Sequence, residues 1–144
     1  MKTVRQLLDA KGNSVLSIRP DANVYEALVV MAEKHVGALL VMQENKLVGI
    51  FSERDYAREI ALKGKTSRDT AVSEAMTPQS NLITVTPSDT VEYCMNLVND
   101  KRIRHLPVIE SGQIVGVLSI GDLVKETIAH QRFLITQLEN YIKS

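Results

Sequence analysis

Residues 17–60 lie on residues 84–127 at a constant offset of 67 without a gap, and ten of the 44 positions are identical. The identities are Pro20/Pro87, Val24/Val91, Lys34/Lys101, Leu39/Leu106, Val41/Val108, Val48/Val115, Gly49/Gly116, Ser52/Ser119, Asp55/Asp122 and Glu59/Glu126. Ordinary composition gives roughly three by chance. Conservative pairs such as Ile18/Val85, Leu28/Met95, Val36/Ile103, Leu47/Ile114 and Ile50/Val117 fill the gaps. The chain is a tandem duplication, and whatever fold it adopts must be built from one unit used twice.

Each copy reads as β-α-β-β-α. A short β-rich stretch (15–18; 82–85) runs into Pro and a polar cluster that opens a helix. Val24, Ala27, Leu28 and Met31 recur at helical spacing, and Val91, Cys94, Met95 and Val98 repeat the pattern. Two apolar runs follow, 38–42 and 47–51, matched by 106–109 and 114–118, each pair separated by four polar residues as in a hairpin. A second helix starts near Glu53 and near Ile120. Two such units predict an α/β fold.

Outside the copies, Thr3-Val4-Arg5-Gln6 has the form of a capping box opening a short helix that Gly12 stops. Residues 63–69 make a polar linker. The last helical pattern runs on to about Ile142, where Val124, Ile128, Gln131, Ile135, Leu138 and Ile142 step 4-3-4-3-4. That seam suits another helix, or docking on the chain's own domain. The predicted organisation is a first unit with the N-terminal helix over 1–66, a second over 67–129, and a helical extension over 130–144.

Composition removes several function classes. The 144 residues carry 17 basic and 17 acidic side chains, so no net field is available to hold nucleic acid. Aromatic residues are 4% and Trp is absent, which leaves few base-stacking platforms. One cysteine gives neither a disulfide framework nor a Cys-rich zinc site. No apolar run approaches a membrane span, and residues 1–10 are not signal-like, so a cytoplasmic location is expected. His35, His105 and His130 lack metal-ligand spacing with each other or with Cys94, and no metal site is expected. Cys94 aligns with Ala27 on an apolar helix face, which reads as a buried structural thiol. No nucleophile, Walker-type loop or paired acid and base is visible, so no catalytic residue is assigned.

Two constellations remain. Gly49-Ile-Phe-Ser-Glu-Arg-Asp55 repeats as Gly116-Val-Leu-Ser-Ile-Gly-Asp122. Ser-x-x-Asp between strand and helix is close to a capping box, and capping alone would account for Ser52, Asp55, Ser119 and Asp122. The recurrent Gly would instead let a ligand or a backbone approach closely. A helix N-terminus favours phosphate, and a short carboxylate can accept from two ribose hydroxyls. The second constellation is Lys101-Arg102-Ile103-Arg104-His105, either a solvated basic turn or a phosphate partner. Its counterpart, His35-Val36-Gly37-Ala38, is stripped of charge and would offer a small wall for a flat base.

The duplicated unit with G-h-h-S-x-x-D closing its third strand resembles the cystathionine-β-synthase-type (CBS) domain, which occurs as tandem pairs. Val72-Ser-Glu-Ala-Met-Thr77-Pro78 is similar to the usual lead-in to a second CBS unit, and Arg104-His105-Leu106-Pro107-Val108 to the start of its second strand. The resemblance implies two units packed with pseudo-twofold symmetry, leaving clefts for an adenosine-bearing ligand such as AMP, ADP, ATP, NAD or S-adenosylmethionine. It assigns Asp55 and Asp122 to ribose, and Ser52 and Ser119 to ribose and phosphate. Arg104, His105 and Arg54 are assigned to phosphates, and Val36, Gly37, Ala38 and Ile103 to the adenine border. Leu40, where copy two has Pro107, and Gly37-Ala38, where it has the basic pair, depart from the family pattern and make the clefts unequal. The resemblance further implies a homodimer and a stand-alone regulatory protein whose target is not encoded in the chain. A ligand-free assembly protein is the alternative.

Overall fold

The computed structural model describes residues 2–12 and 15–143. In chain order it holds α1 (Val4–Lys11), β1 (Ser17–Ile18), α2 (Val24–Lys34), β2 (Ala38–Gln43), β3 (Lys46–Ser52), α3 (Glu53–Asp55), α4 (Val72–Ala75), β4 (Thr77–Pro78), α5 (Val91–Lys101), β5 (His105–Glu110), β6 (Gln113–Ser119) and α6 (Ile120–Lys143). These fall into two compact units, Ser14–Ile83 and Met1–Asn13 with Thr84–Ser144. Each is built on a β-α-β-β-α repeat; the second also takes in the N-terminal helix α1, and its closing helix α6 is the long one.

The duplication is reproduced in helix caps, hairpin register and turns. Asn23 caps α2 by accepting from the Glu26 N–H at 2.8 Å, and Thr90 caps α5 by accepting from the Tyr93 N–H at 3.0 Å. Both helices end on a non-glycine residue in the left-handed region, His35 (φ 55°) and Arg102 (φ 53°). The hairpins share their register, Ala38↔Ser52 beside His105↔Ser119, and shift at the same place, after Val41 and after Val108. Both turn on two residues of positive φ, Glu44-Asn45 and Ser111-Gly112, as tight hairpins require. The parallel pairing Ile18↔Val41 recurs as the single bridge Val85↔Val108.

The apolar spacing read from the sequence becomes the core. In the unit of the first copy, Val24, Ala27 and Met31 of α2 bury against Leu39 and Val41 of β2 and Phe51 of β3, with Ile60, Val72 and Ala75 closing the cluster. Burying a side chain of this size contributes about 1.5–3 kcal/mol, so the cluster anchors the hairpin whose ends carry the candidate site. The second helix of that unit is α-helical only over α3. Tyr56–Ala61 continues as a π-helix with bonds such as Leu62 N–H to Ala57 O at 3.0 Å, whereas the equivalent helix α6 stays α-helical for 24 residues.

Chain order groups the N-terminal helix with the first copy, over 1–66, but the contacts group it with the second. Val4 N–H donates to Asp89 O at 2.8 Å, Arg5 N–H to Pro87 O at 3.0 Å, and Val91 N–H to Lys2 O at 3.0 Å. The lead-in of the second copy makes the same three bonds to the first: Val72 N–H to Ala22 O, Ser73 N–H to Pro20 O and Val24 N–H to Thr70 O. Each unit is therefore one repeat completed by the segment that precedes the other. The cause is legible in the residues: Val4 and Val72 are fully buried, and Gln6 and Glu74 each reach back to accept from the N–H that precedes the helix, Thr3 at 2.9 Å and Ala71 at 3.1 Å.

Candidate functional site

Both Ser-x-x-Asp motifs are capping boxes. The Ser52 hydroxyl accepts from the Asp55 N–H at 3.2 Å while the Ser52 N–H donates to Asp55 Oδ2 at 2.9 Å. Ser119 and Asp122 repeat this at 3.1 and 2.9 Å. The helix start is also tied to the preceding hairpin strand. Glu53 N–H donates to Gly37 O at 3.0 Å, and Ile120 N–H to Arg104 O at 2.9 Å. Together with the pairs Ala38↔Ser52 and His105↔Ser119, this gathers the expected residues at one end of each hairpin. Val36, Gly37, Ala38, Ser52, Arg54 and Asp55 meet in the first-copy unit, and Ile103, Arg104, His105, Ser119 and Asp122 in the second.

The glycines serve packing rather than ligand approach. A Cβ on Gly49 would stand 2.6 Å from the Thr77 carbonyl oxygen and 2.7 Å from Met76 Sδ; one on Gly116 would stand 2.7 Å from Leu8 Cδ2. What approaches each glycine is the docked lead-in. Gly37 is of another kind: its Cβ would meet only Glu53 at 3.8 Å, an ordinary contact, so the copies can differ there.

Two residues that local spacing could not flag complete the sites. Thr77, in the lead-in motif, donates its hydroxyl to Asp55 Oδ1 at 3.0 Å. Lys11, at the end of α1, donates to Asp122 Oδ2 at 2.6 Å and to Val117 O at 2.7 Å. Burial pushes the Asp122 carboxyl up, but the Lys11 ammonium and the Ser119 N–H outweigh it and hold its pKa below the usual value. The two carboxylates thus differ: Asp55 sits among hydroxyls, Asp122 against a cation. Thr77 lay within a quoted motif; Lys11 is 111 residues from Asp122 and carried no signal.

Cys94 is fully buried, and burial, aided by the charge of Asp89, pushes its thiol up to about 11. It is a packing residue. Among the described residues no cluster of three His, Cys, Asp or Glu could hold a metal, and no helix is long and apolar enough to cross a membrane.

The CBS domain family model matches residues 7–62 and again residues 72–128. This chain belongs to the CBS domain family. It is 38% identical to the mitochondrial CBS domain-containing protein CBSX3 of Arabidopsis thaliana, over 98% of this chain and 72% of that one. It superposes with TM-score 0.85 on a putative signal-transduction protein with CBS domains from Burkholderia ambifaria, at 43% identity, covering 90% of this chain and 96% of that one. It also shares its fold, with TM-score 0.78 at 21% identity over 90% and 98% of the two chains, with the CBS domain pair of MJ0100, solved with 5′-methylthioadenosine and S-adenosylmethionine. As a CBS pair the chain is a module of a regulatory, signal-transducing kind.

Proposed function

We propose that this CBS pair senses an adenosine-containing ligand (AMP, ADP, ATP or NAD) and reports it to a partner protein, with no catalytic step of its own. The observation that carries the reading is the convergence, in each unit, of a carboxylate, a capping serine and the start of the hairpin's first strand. Ribose hydroxyls are donors suited to Asp55 and Asp122, and Arg104 with His105 suits a phosphate. The adenosyl compounds bound by the MJ0100 pair support the same ligand class. The reading extends to a homodimer working in the cytoplasm, in keeping with a chain whose single cysteine forms no disulfide framework.

The assembly reading keeps two specific observations in its favour. Lys11 already satisfies Asp122, and α6 exposes an apolar stripe suited to another protein. Calorimetric titration and thermal shift with AMP, ATP, NAD and S-adenosylmethionine, each alone, decide between them. The sensing reading expects stabilisation by about 2.7 kcal/mol at a hundredfold excess over Kd. It also expects Asp55→Asn and Asp122→Asn to weaken binding by about 1–3 kcal/mol, the range for hydrogen bonds to charged groups. No response to any of the four compounds leaves assembly as the function.

A further inference from the structure

Helix α6 is longer than its own unit can use. Leu123 and Glu126 are buried and Thr127 and His130 are partly covered, all on one face, but every residue from 131 to 143 is exposed. The stripe flanking the buried face grows more exposed toward the tip: Val124 41%, Ile128 43%, Ile135 56%, Leu138 61%, Ile142 73%. A shallow groove bordered by Gly121, Val124, Lys125, Ile128, Ala129 and Arg132 begins this stripe at its unit end. A helical stretch of this length is marginal in water without tertiary support, and contiguous exposed apolar surface marks an interaction site.

We propose that this stripe is a self-association seam in which α6 packs antiparallel on α6 of a second copy of the chain. The 4-3 spacing is that of helices packing knobs into holes. Centred near Phe133 and run antiparallel, the seam sets Val124 against the second copy's Ile142, Ile128 against its Leu138 and Gln131 against its Ile135. The flanking charges choose the direction. Lys125, Arg132 and Glu139 recur every seven residues along one edge, with Thr127, Leu134 and Tyr141 along the other. Antiparallel helices bring like edges together, so Lys125 faces Glu139 twice by symmetry and Leu134 meets Leu134. Arg132 then meets its own copy at a solvated rim where salt screens the repulsion. Parallel helices bring opposite edges together, placing Lys125 on Ile120, Arg132 on Thr127 and Glu139 on Leu134, with no charge matched. Gln131 would pair with itself in the parallel arrangement. In the antiparallel one its long side chain carries the amide to the rim beside Arg132.

The inference rests on the chain pairing proposed above and not on the nucleotide. Sedimentation equilibrium of the full chain tests it. Wild type is expected to dimerise at micromolar concentration. Ile135→Glu, on an exposed stretch where the fold does not depend on it, is expected to raise the dimer Kd at least a hundredfold. Lys125→Glu or Glu139→Lys alone raises it about tenfold, as loss and reversal of two exposed ion pairs implies, and the double exchange returns it to within about threefold of wild type. A monomeric wild type overturns the pairing and this seam together. A dimer indifferent to Ile135→Glu overturns the seam alone. Single charge reversals without effect, or a double exchange that fails to restore pairing, overturn the antiparallel arrangement.

Discussion

Replacing either member of the Lys11–Asp122 pair tests whether the N-terminal segment is an electrostatic part of the second-copy unit. Lys11 Nζ lies 2.6 Å from Asp122 Oδ2 and 2.7 Å from Val117 O, and the two side chains are 34% and 25% exposed. Solvated pairs couple by about 0.2–1 kcal/mol, and breaking a fully buried pair costs about 3–5 kcal/mol. The intermediate exposure, with one ammonium bonded to two acceptors, points to about 1–1.5 kcal/mol of coupling. Asp122→Asn keeps a cap-competent oxygen, so capping is retained while the ion pair is lost. It therefore lowers the stability of the ligand-free protein, whereas capping considered alone leaves it unchanged. Urea denaturation of wild type, Lys11→Met, Asp122→Asn and the double variant closes the cycle. The sign with pH is fixed. A carboxyl whose folded pKa is depressed contributes stability above its unfolded pKa, about 3.9. That contribution is lost as pH falls through the lower folded value. Coupling should be full at pH 7 and fade below about pH 4. Coupling under about 0.3 kcal/mol at pH 7, or coupling that does not weaken as pH falls below about 4, refutes the ion-pair account.

Two further outcomes follow from packing. Gly49→Ala drives a Cβ into the Thr77 carbonyl and the Met76 side chain, a clash with backbone that should cost about 1–3 kcal/mol; Gly116→Ala meets only the tip of Leu8, which can turn, and should stay within about 1 kcal/mol of wild type by urea midpoint. Equal losses at the two glycines would show the difference between backbone and side-chain contact to be immaterial. Cys94, buried and with its thiol pushed up to about 11, should resist iodoacetamide at pH 8 in the native protein and react promptly in urea; rapid native labelling would contradict its burial.

The parts legible in the sequence are those set by local chemistry. The offset of 67 placed both hairpins and both helix starts, because identical turn, cap and core residues form identical bonds wherever they occur. Thr3 and Gln6 form the capping box their spacing announces, and Gly12 ends the helix at φ 99°. The Ser-x-x-Asp motif specified a cap, and the cap formed in both copies. Pairings distant in the chain were not legible. Lys11 and Asp122 share no motif, and whether a ligand or a backbone approaches Gly49 and Gly116 stayed open because the segments that crowd them lie outside the repeat alignment. The lead-ins themselves are alike, Val4 to Leu8 against Val72 to Met76, but at an offset of 68 rather than 67. A one-residue slip hid the third element that the copies share.

That hidden element determines how the surroundings of the two motif copies differ. Each lead-in helix completes the repeat it does not precede, so the residue facing the capping carboxylate belongs to a segment free to vary apart from the motif. In the first-copy unit the lead-in supplies the neutral Thr77 hydroxyl. Asp55 and Glu53 against Arg54 then leave one net negative charge around the helix start. In the second it supplies Lys11, and Lys11 with Arg104 against Asp122 leave one net positive charge. The same motif thereby stands in opposite local fields, negative around Asp55 and positive around Asp122. Here Ser-x-x-Asp is left intact in both copies, and the distinction is carried by a side chain from a different stretch of chain.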